Sequence, residues 1–483
     1  MMLSVELLMS LPLIWGVLFL LGLKPIESTY LSILGFMSLA SAGSLFEITV
    51  GVDSKILIVA VPAFAFLVMV VVRRNLGRDY LVLFAGMTIS ALLSFSSQLF
   101  TRFFGFSSIG FTDGHTIITR AQEIAVGEVA IETGSKALKR GFGLSAVHAQ
   151  GLNGEYLVGF MPLVFLAAVL ASAYLIYERF GSKRVVLFSV AVLLPLSIFI
   201  EAIARHIYLM NTHTFAWLIT AVLLIQVVRL RSGPEQEHKV SWTSLYLAFV
   251  TIGLLRIDYV VIFSIFWLLI AFALSKSNWI KVGLLLPASL VASGAWLLTV
   301  TEDFPFFGSI GLATYLSLGV LLPLVVAKLL GKSKNSHRWS EQLSWTLLGL
   351  FSVALLFRVS WGGSLWSFGI NVLAGEGLWG GMFYFIGVLV LIAIWIRLAS
   401  NNGGLGISRL FITMLVLVML TKTFDNFEVS NGLSGISRVG FGDSLNRSLV
   451  TFMPFLYLLT AYVHSYFDSA PTRTTKPAST KTS

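Results

Sequence analysis

The sequence predicts an all-α, polytopic membrane bundle, and three observations carry that prediction. Hydrophobic residues make up 57% of the 483 and only 12% are charged, so a water-soluble fold would lack the polar surface to cover itself. Apolar runs of about 18 to 22 residues recur along the chain, the length a helix needs to cross a bilayer core. The charged side chains fall between those runs rather than within them.

The elements follow in order. The first run, Leu7 to Leu23, has no Lys or Arg before it and no convincing cleavage site, so it reads as a retained helix rather than a signal peptide. Three spans precede residue 75, and residues 1–78 read as an N-terminal transmembrane extension. Residues 79–468 form the main transmembrane domain, with a long outer loop over 101–156. Residues 469–483, rich in Thr, Pro, Ser and Lys, read as a disordered cytoplasmic tail.

Basic residues cluster at Arg73, Arg74 and Arg78; at Arg179, Lys183 and Arg184; at Arg229, Arg231 and Lys239; at Lys276 and Lys281; at Lys328, Lys332, Lys334 and Arg338; and at Arg397 and Arg409. Placing all of them in the cytoplasm satisfies the positive-inside rule with one alternation of about fifteen helices. The N-terminus is then outside and the C-terminus cytoplasmic, as in a multi-pass protein of the cell membrane. The net charge of +10 is accounted for by these orientation signals and the tail. No basic stretch is interleaved with aromatics on a soluble module, which argues against nucleic acid as a partner. The absence of cysteine excludes disulfides, thiolate metal sites and a cysteine nucleophile.

The remaining connections face outward and carry most of the polar chemistry. They include the 101–156 loop, Arg205-His206 with Thr212-His213, the turn Arg256-Ile257-Asp258-Tyr259, Glu302-Asp303, the stretch Trp361 to Trp379, and Asp425 to Arg447. A transporter buries ionisable groups near mid-membrane on broken helices. Groups gathered at one face point instead to chemistry at the outer membrane surface.

Within the long loop, Ile117, Ala121, Ile124 and Gly127 recur at helical spacing after Asp113. Thr112 can cap such a helix, which sets Asp113 in its first turn, where the macrodipole favours a carboxylate. Val129 to Leu138 is a second weakly amphipathic piece, and Gly141, Gly143, Gly151 and Gly154 read as turns. Helices of this kind between two spans are expected to lie in the membrane interface. On the plainest reading Asp113 is a helix cap in a structural loop.

The order Asp113, Ala121, Ile124, Gly127 resembles the first external loop of GT-C type glycosyltransferases. These enzymes use polyprenyl-phosphate-linked sugars, as in the protein mannosyltransferase and lipid A aminoarabinose transferase types. Gly114 stands where that loop often has a second acid, and Ile117 where it has an aromatic residue, so the resemblance does not carry a metal site built from adjacent carboxylates. Tyr174 to Arg184 is similar to the family's short basic turn, and Asp443 to Arg447 running into Phe452-Met-Pro-Phe455 is similar to the opening of a late helix. The resemblance covers about residues 80–232, with weaker support near the end.

It implies an inverting transfer of a sugar from a polyprenyl-phosphate donor to an acceptor that is a protein, a lipid or a glycan. Such a reaction needs a base, a phosphate site and a groove for the isoprenoid. Asp113 is the candidate base, with Glu123 and His115 as alternates. Arg205, Arg256 and Arg447, with His206 beside the first, are candidates for the donor phosphate, because a guanidinium fork bonds two oxygens at once. No His, Asp and Glu set has metal-ligand spacing on one helix, so no metal ligand is assigned, and a divalent cation stays open. The alternatives are a polymerase or ligase of lipid-linked polysaccharide, and a transporter or flippase of lipid-linked glycans.

Overall fold

The structure, a computed structural model, describes residues 5–73, 77, 79–104, 112–127, 129, 142–150, 160–199, 212–231, 241–300, 314, 317–332, 346, 349, 353, 386–393 and 449–469. Every regular element among them is helical. Among the described residues, six helical stretches are long and apolar enough to cross a membrane: Pro25–Val50, Ser54–Val72, Asp79–Leu99, Phe160–Phe180, Thr212–Leu230 and Leu274–Thr299. The chain is a helical membrane protein.

Helix α1 (Val5–Leu20) is followed by α2 (Pro25–Val50), which starts with proline at its first position, where a missing N–H costs nothing. Glu27 closes the entry by accepting from the Lys24 backbone N–H, and Gly51, at φ 77°, ends the helix in a left-handed cap. Asp53 then caps α3 (Ser54–Val72) by accepting from the Lys55 N–H at 2.9 Å. Phe64, Leu67, Val71 and Val72 are exposed on α3, as suits a helix facing lipid. α4 (Asp79–Phe104) runs four residues into the segment that the sequence assigned to the outer loop.

Two short helices follow, α5 (Thr112–Ala125) and α6 (Phe142–Ala149). α5 ends at Gly127, whose φ of 74° requires a residue without a β-carbon. α7 (Phe160–Phe180) and α8 (Lys183–Phe199) are joined by a tight turn at Gly181, again left-handed at φ 66°. Then come α9 (Thr212–Arg231), α10 (Trp242–Leu255), α11 (Ile257–Gly283), α12 (Leu285–Val300), α13 (Leu322–Lys332) and α14 (Met453–Ser469).

The core is built around α9, whose residues are buried almost throughout. It packs along α7, where the Trp217 indole N–H donates to Ser172 Oγ at 2.9 Å, and α14 returns to place Tyr457 6.1 Å from the Trp217 ring. α2 lies inside the bundle too, against α6, α7 and α10. α1 gathers α3 and α4 at one side, while α11 to α13 pack on the other.

The two short helices α5 and α6 differ in how they are buried. α5 is two-sided, with Ile117, Ile118, Ala121 and Ile124 buried and Thr119 and Gln122 exposed. α6 is buried along its whole length, packed among α2, α5 and α10. The reason is compositional: Phe-Gly-Leu-Ser-Ala-Val-His-Ala has no charged face to hold it at a water boundary. Gly143, expected in a turn, sits inside this helix. A β-carbon there would stand 2.9 Å from Met37 Cε, 3.1 Å from Leu254 Cβ and 3.1 Å from Ser41 Oγ. Only glycine lets α6 seat so closely on α2 and α10. The proposed second amphipathic piece, 129–138, lies outside the described residues apart from Val129.

A recessed polar site at a helical hairpin tip

α10 and α11 meet at a single extended residue, Arg256 (φ −166°, ψ 140°). α10 has only 14 residues, so it rises about 21 Å at 1.5 Å per residue, against a hydrocarbon core of about 30 Å. Its base is marked by Trp242, with the Lys281 ammonium 5.4 Å from the ring and Tyr246 donating to the Lys281 carbonyl at 2.8 Å. An aromatic with a cation beside it belongs at the membrane boundary. A helix of that length starting at one boundary would end roughly 9 Å short of the other, the difference between those two lengths. Non-helical backbone at that depth must be satisfied within the protein, and it is. The Arg256 N–H donates to the Ile252 carbonyl at 3.3 Å, and the Arg256 carbonyl accepts from the Tyr259 N–H at 3.2 Å.

Polar side chains converge on this tip. The half-buried Arg256 places its guanidinium 5.5 Å from the centre of the Tyr259 ring. The Tyr259 hydroxyl lies 2.7 Å from His213 Nδ1 and 3.5 Å from Thr212 Oγ1, at the first turn of α9. Tyr259 and His213 are 3% and 4% exposed, so this pair is shielded from solvent and its hydrogen bond is correspondingly strong.

Helices α5 and α6 reach the same level. Leu254, two residues before Arg256, lies against Gly143 of α6. The neighbouring Phe142 stacks on Trp296 of α12, parallel at 4.9 Å, and carries the Arg120 guanidinium 4.3 Å from its ring centre. Arg120 is 2% exposed and occupies the buried stripe of α5. Just beyond α6, Gln150 Nε2 donates to Ser44 Oγ at 3.3 Å and to Ser54 Oγ at 3.4 Å, tying the segment to α2 and α3. His148 is fully enclosed, neither ring nitrogen has a hydrogen-bond partner among the described residues, and burial pushes its imidazole down to about 3.

Of the residues singled out from the sequence, Asp113 and His115 fall within α5, and Glu123 is half-buried near the end of that helix. Arg256 stands at the hairpin tip. Arg205, His206 and Arg447 lie outside the described residues. Sequence reasoning passed over Arg120, although it takes an inward position three residues after Ile117. It also passed over the Tyr259–His213 contact, for which two residues 46 positions apart give no local signal.

At the opposite end of the bundle sits an ionic network that the sequence did not reveal as one object. Arg229 at the end of α9 donates to Glu27 Oε1 at 2.8 Å, to Glu178 Oε1 at 3.2 Å and to the Tyr174 hydroxyl at 3.0 Å. Tyr174 donates to Glu178 on the same helix, and Lys24 Nζ donates to Tyr174 at 2.8 Å and to Glu178 at 3.0 Å. Burial works against the Lys24 ammonium, but those two hydrogen bonds outweigh it and hold it above its ordinary value. The contacts place the start of α2 and the ends of α7 and α9 at one level. Among the described residues, no three His, Asp or Glu side chains gather as metal ligands would. No family model, no curated protein and no solved structure matches this chain.

Proposed function

We propose that this protein is a membrane glycosyltransferase that takes a sugar from a polyprenyl-phosphate donor at the extracytoplasmic face. The observation that supports it most is the meeting of the acid-bearing α5–α6 segment with a recessed hairpin tip carrying Arg256. A lipid-linked phosphate needs a cation at the depth of its headgroup and an apolar path for its chain, and ionisable groups at membrane depth mark functional sites. On this reading Asp113 takes the proton of the acceptor hydroxyl as its oxygen attacks the anomeric carbon, with Glu123 and His115 as alternates. The bond from that carbon to the phosphate oxygen breaks, and the electron pair leaves with the polyprenyl phosphate. Arg256, Arg120, and the Arg205, His206 and Arg447 expected from the sequence would receive that charge.

The test is incubation of purified protein with radiolabelled polyprenyl-phosphate sugars and mixed acceptors. Transfer is expected from the parent, and Asp113→Asn should lower it by about 10² to 10⁴, the usual share of a general base. Absence of transfer with every donor, or an Asp113→Asn variant with parental turnover, would sink the reading or the residue respectively.

A further inference from the structure

The network of Lys24, Glu27, Tyr174, Glu178 and Arg229 holds two cations and two anions, so its formal charge is zero. Arg229 and Glu27 are each 4% exposed at the side chain, Glu178 is 15% exposed, and Lys24 is 60% exposed. Exposure thus grades from one open group to two enclosed ones across three helix ends. Tyr30 continues the series inward: its ring lies 6.3 Å from that of Tyr174, and its hydroxyl is enclosed with no hydrogen-bond partner among the described residues. Ser28 Oγ, beside Glu27 in sequence, is also enclosed and without one.

We propose that this network is a reversible ionic latch closing one end of the bundle between α2 and the α7–α9 pair. An ion network is a poor choice for simple cohesion, since well-packed apolar groups of similar volume hold as firmly or better. It has one property that an apolar seal lacks. Opening an apolar contact to water is unfavourable in proportion to the area wetted. Opening an ion network returns to each charge the hydration that closure removed. The two states then differ by a small balance of large terms, which is what a contact that opens and shuts requires. Lys24 is already wet, so water has an entry point, and the enclosed hydroxyl of Tyr30, whose ring lies against Tyr174, is a partner that entering water would find. The latch does not depend on the glycosyltransferase reading, because it concerns the end of the bundle away from Asp113 and Arg256.

The chain has no cysteine, so a single Ser28→Cys substitution is a clean reporter at a fully buried position. The reporter is placed in nanodiscs and its labelling by a membrane-impermeant maleimide is timed. With the latch intact, labelling should be slow. Arg229→Met leaves Glu27 and Glu178 without their guanidinium and should speed labelling by roughly a hundredfold, as expected for breaking a buried ion pair. The triple variant Glu27→Gln, Glu178→Gln, Arg229→Met, which leaves only the exposed Lys24 charged, should return it towards the parental rate. If Arg229→Met does not yield a monodisperse protein, Arg229→Lys, which keeps the charge but loses the fork, is read in its place and should label faster than parent. Labelling unchanged in a folded Arg229 variant overturns the latch. So does a triple variant as fast as the single one, since that would mark lost packing rather than an opened ionic contact.

Discussion

The contact most exposed to a single-atom test is the crossing of α10 and α12, because it fixes the height of the hairpin tip. A β-carbon on Gly253 would stand 1.9 Å from the Ser289 carbonyl oxygen, 2.8 Å from its carbon and 3.1 Å from its Cα. All three are backbone atoms, so no side chain can rotate away. Restoring ordinary contact at about 3.4 Å means moving one helix by roughly 1.5 Å, and overpacking of this kind costs up to about 3 kcal/mol or more. Alanine recovers about 1 kcal/mol of helix propensity relative to glycine, leaving a net loss of about 2 kcal/mol for Gly253→Ala. The control is Gly319→Ala, whose nearest neighbour is the flexible end of Leu290, Cδ1 at 2.6 Å, with the next atom at 3.7 Å; it should fall within about 0.5 kcal/mol of the parent. Thermal unfolding in one detergent, followed by tryptophan fluorescence and by loss of the monodisperse peak, reads both. Gly253→Ala should melt several degrees below both the parent and the control. Because Arg256 is three residues on, donor binding should weaken in the same variant. Equal melting temperatures for the two alanine variants would show that α10 and α12 do not cross this closely.

Tyr259→Phe removes the hydroxyl that meets the buried His213 Nδ1 and should cost about 1 to 3 kcal/mol, while the double variant Tyr259→Phe, His213→Phe should recover part of it; strict additivity of the two single losses would show that the pair is not coupled. His148 is held below its ordinary 6.5 at about 3, so between those values the unfolded chain binds a proton that the folded one refuses. Its contribution is full above pH 6.5 and is lost as pH falls towards 3. Melting temperatures at pH 7.5 and pH 5 should therefore differ less in His148→Leu than in the parent, and parallel falls in both would remove the assignment. Single cysteines at Ser135 and Ser333 should react with an impermeant thiol reagent from opposite sides of sealed vesicles, and reaction from the same side would overturn the alternation of spans.

Helical class was legible because composition and run length leave no other fold, and so was the buried stripe of α5. Ile117, Ala121 and Ile124 were picked out by spacing alone and are enclosed as that spacing requires. Arg120 shares the stripe and was missed because a charge at an inward position reads as an interruption of the pattern rather than as part of it. α6 was misread for a related reason. Gly143 signals a turn when local propensity is weighed alone, whereas it is there for a close approach to Met37, Ser41 and Leu254 from two distant helices. The network around Arg229 was present only as separate orientation signals. Positive-inside counting uses the side of the membrane a charge lies on and is blind to the carboxylate that meets it.

What connects the two polar sites is α9. A helix buried on all sides reads as apolar all round, so it offers no periodicity from which to infer its neighbours. Its few polar residues carry that information instead, because a buried polar group requires a partner. Four of them find one elsewhere in the chain: Thr212 and His213 on Tyr259, Gln226 on the Ser241 N–H at 3.0 Å, and Arg229 on Glu27, Tyr174 and Glu178. His213 and Arg229 are 16 positions apart, about 24 Å along a helix, so one rigid rod fixes the hairpin tip at one end and the ionic network at the other. An axial slip of α9 by one turn, about 5.4 Å, would break both sets of bonds at once. The chain thus specifies the register of its central helix by its two polar ends, while the apolar stretch between them supplies burial without choosing among registers.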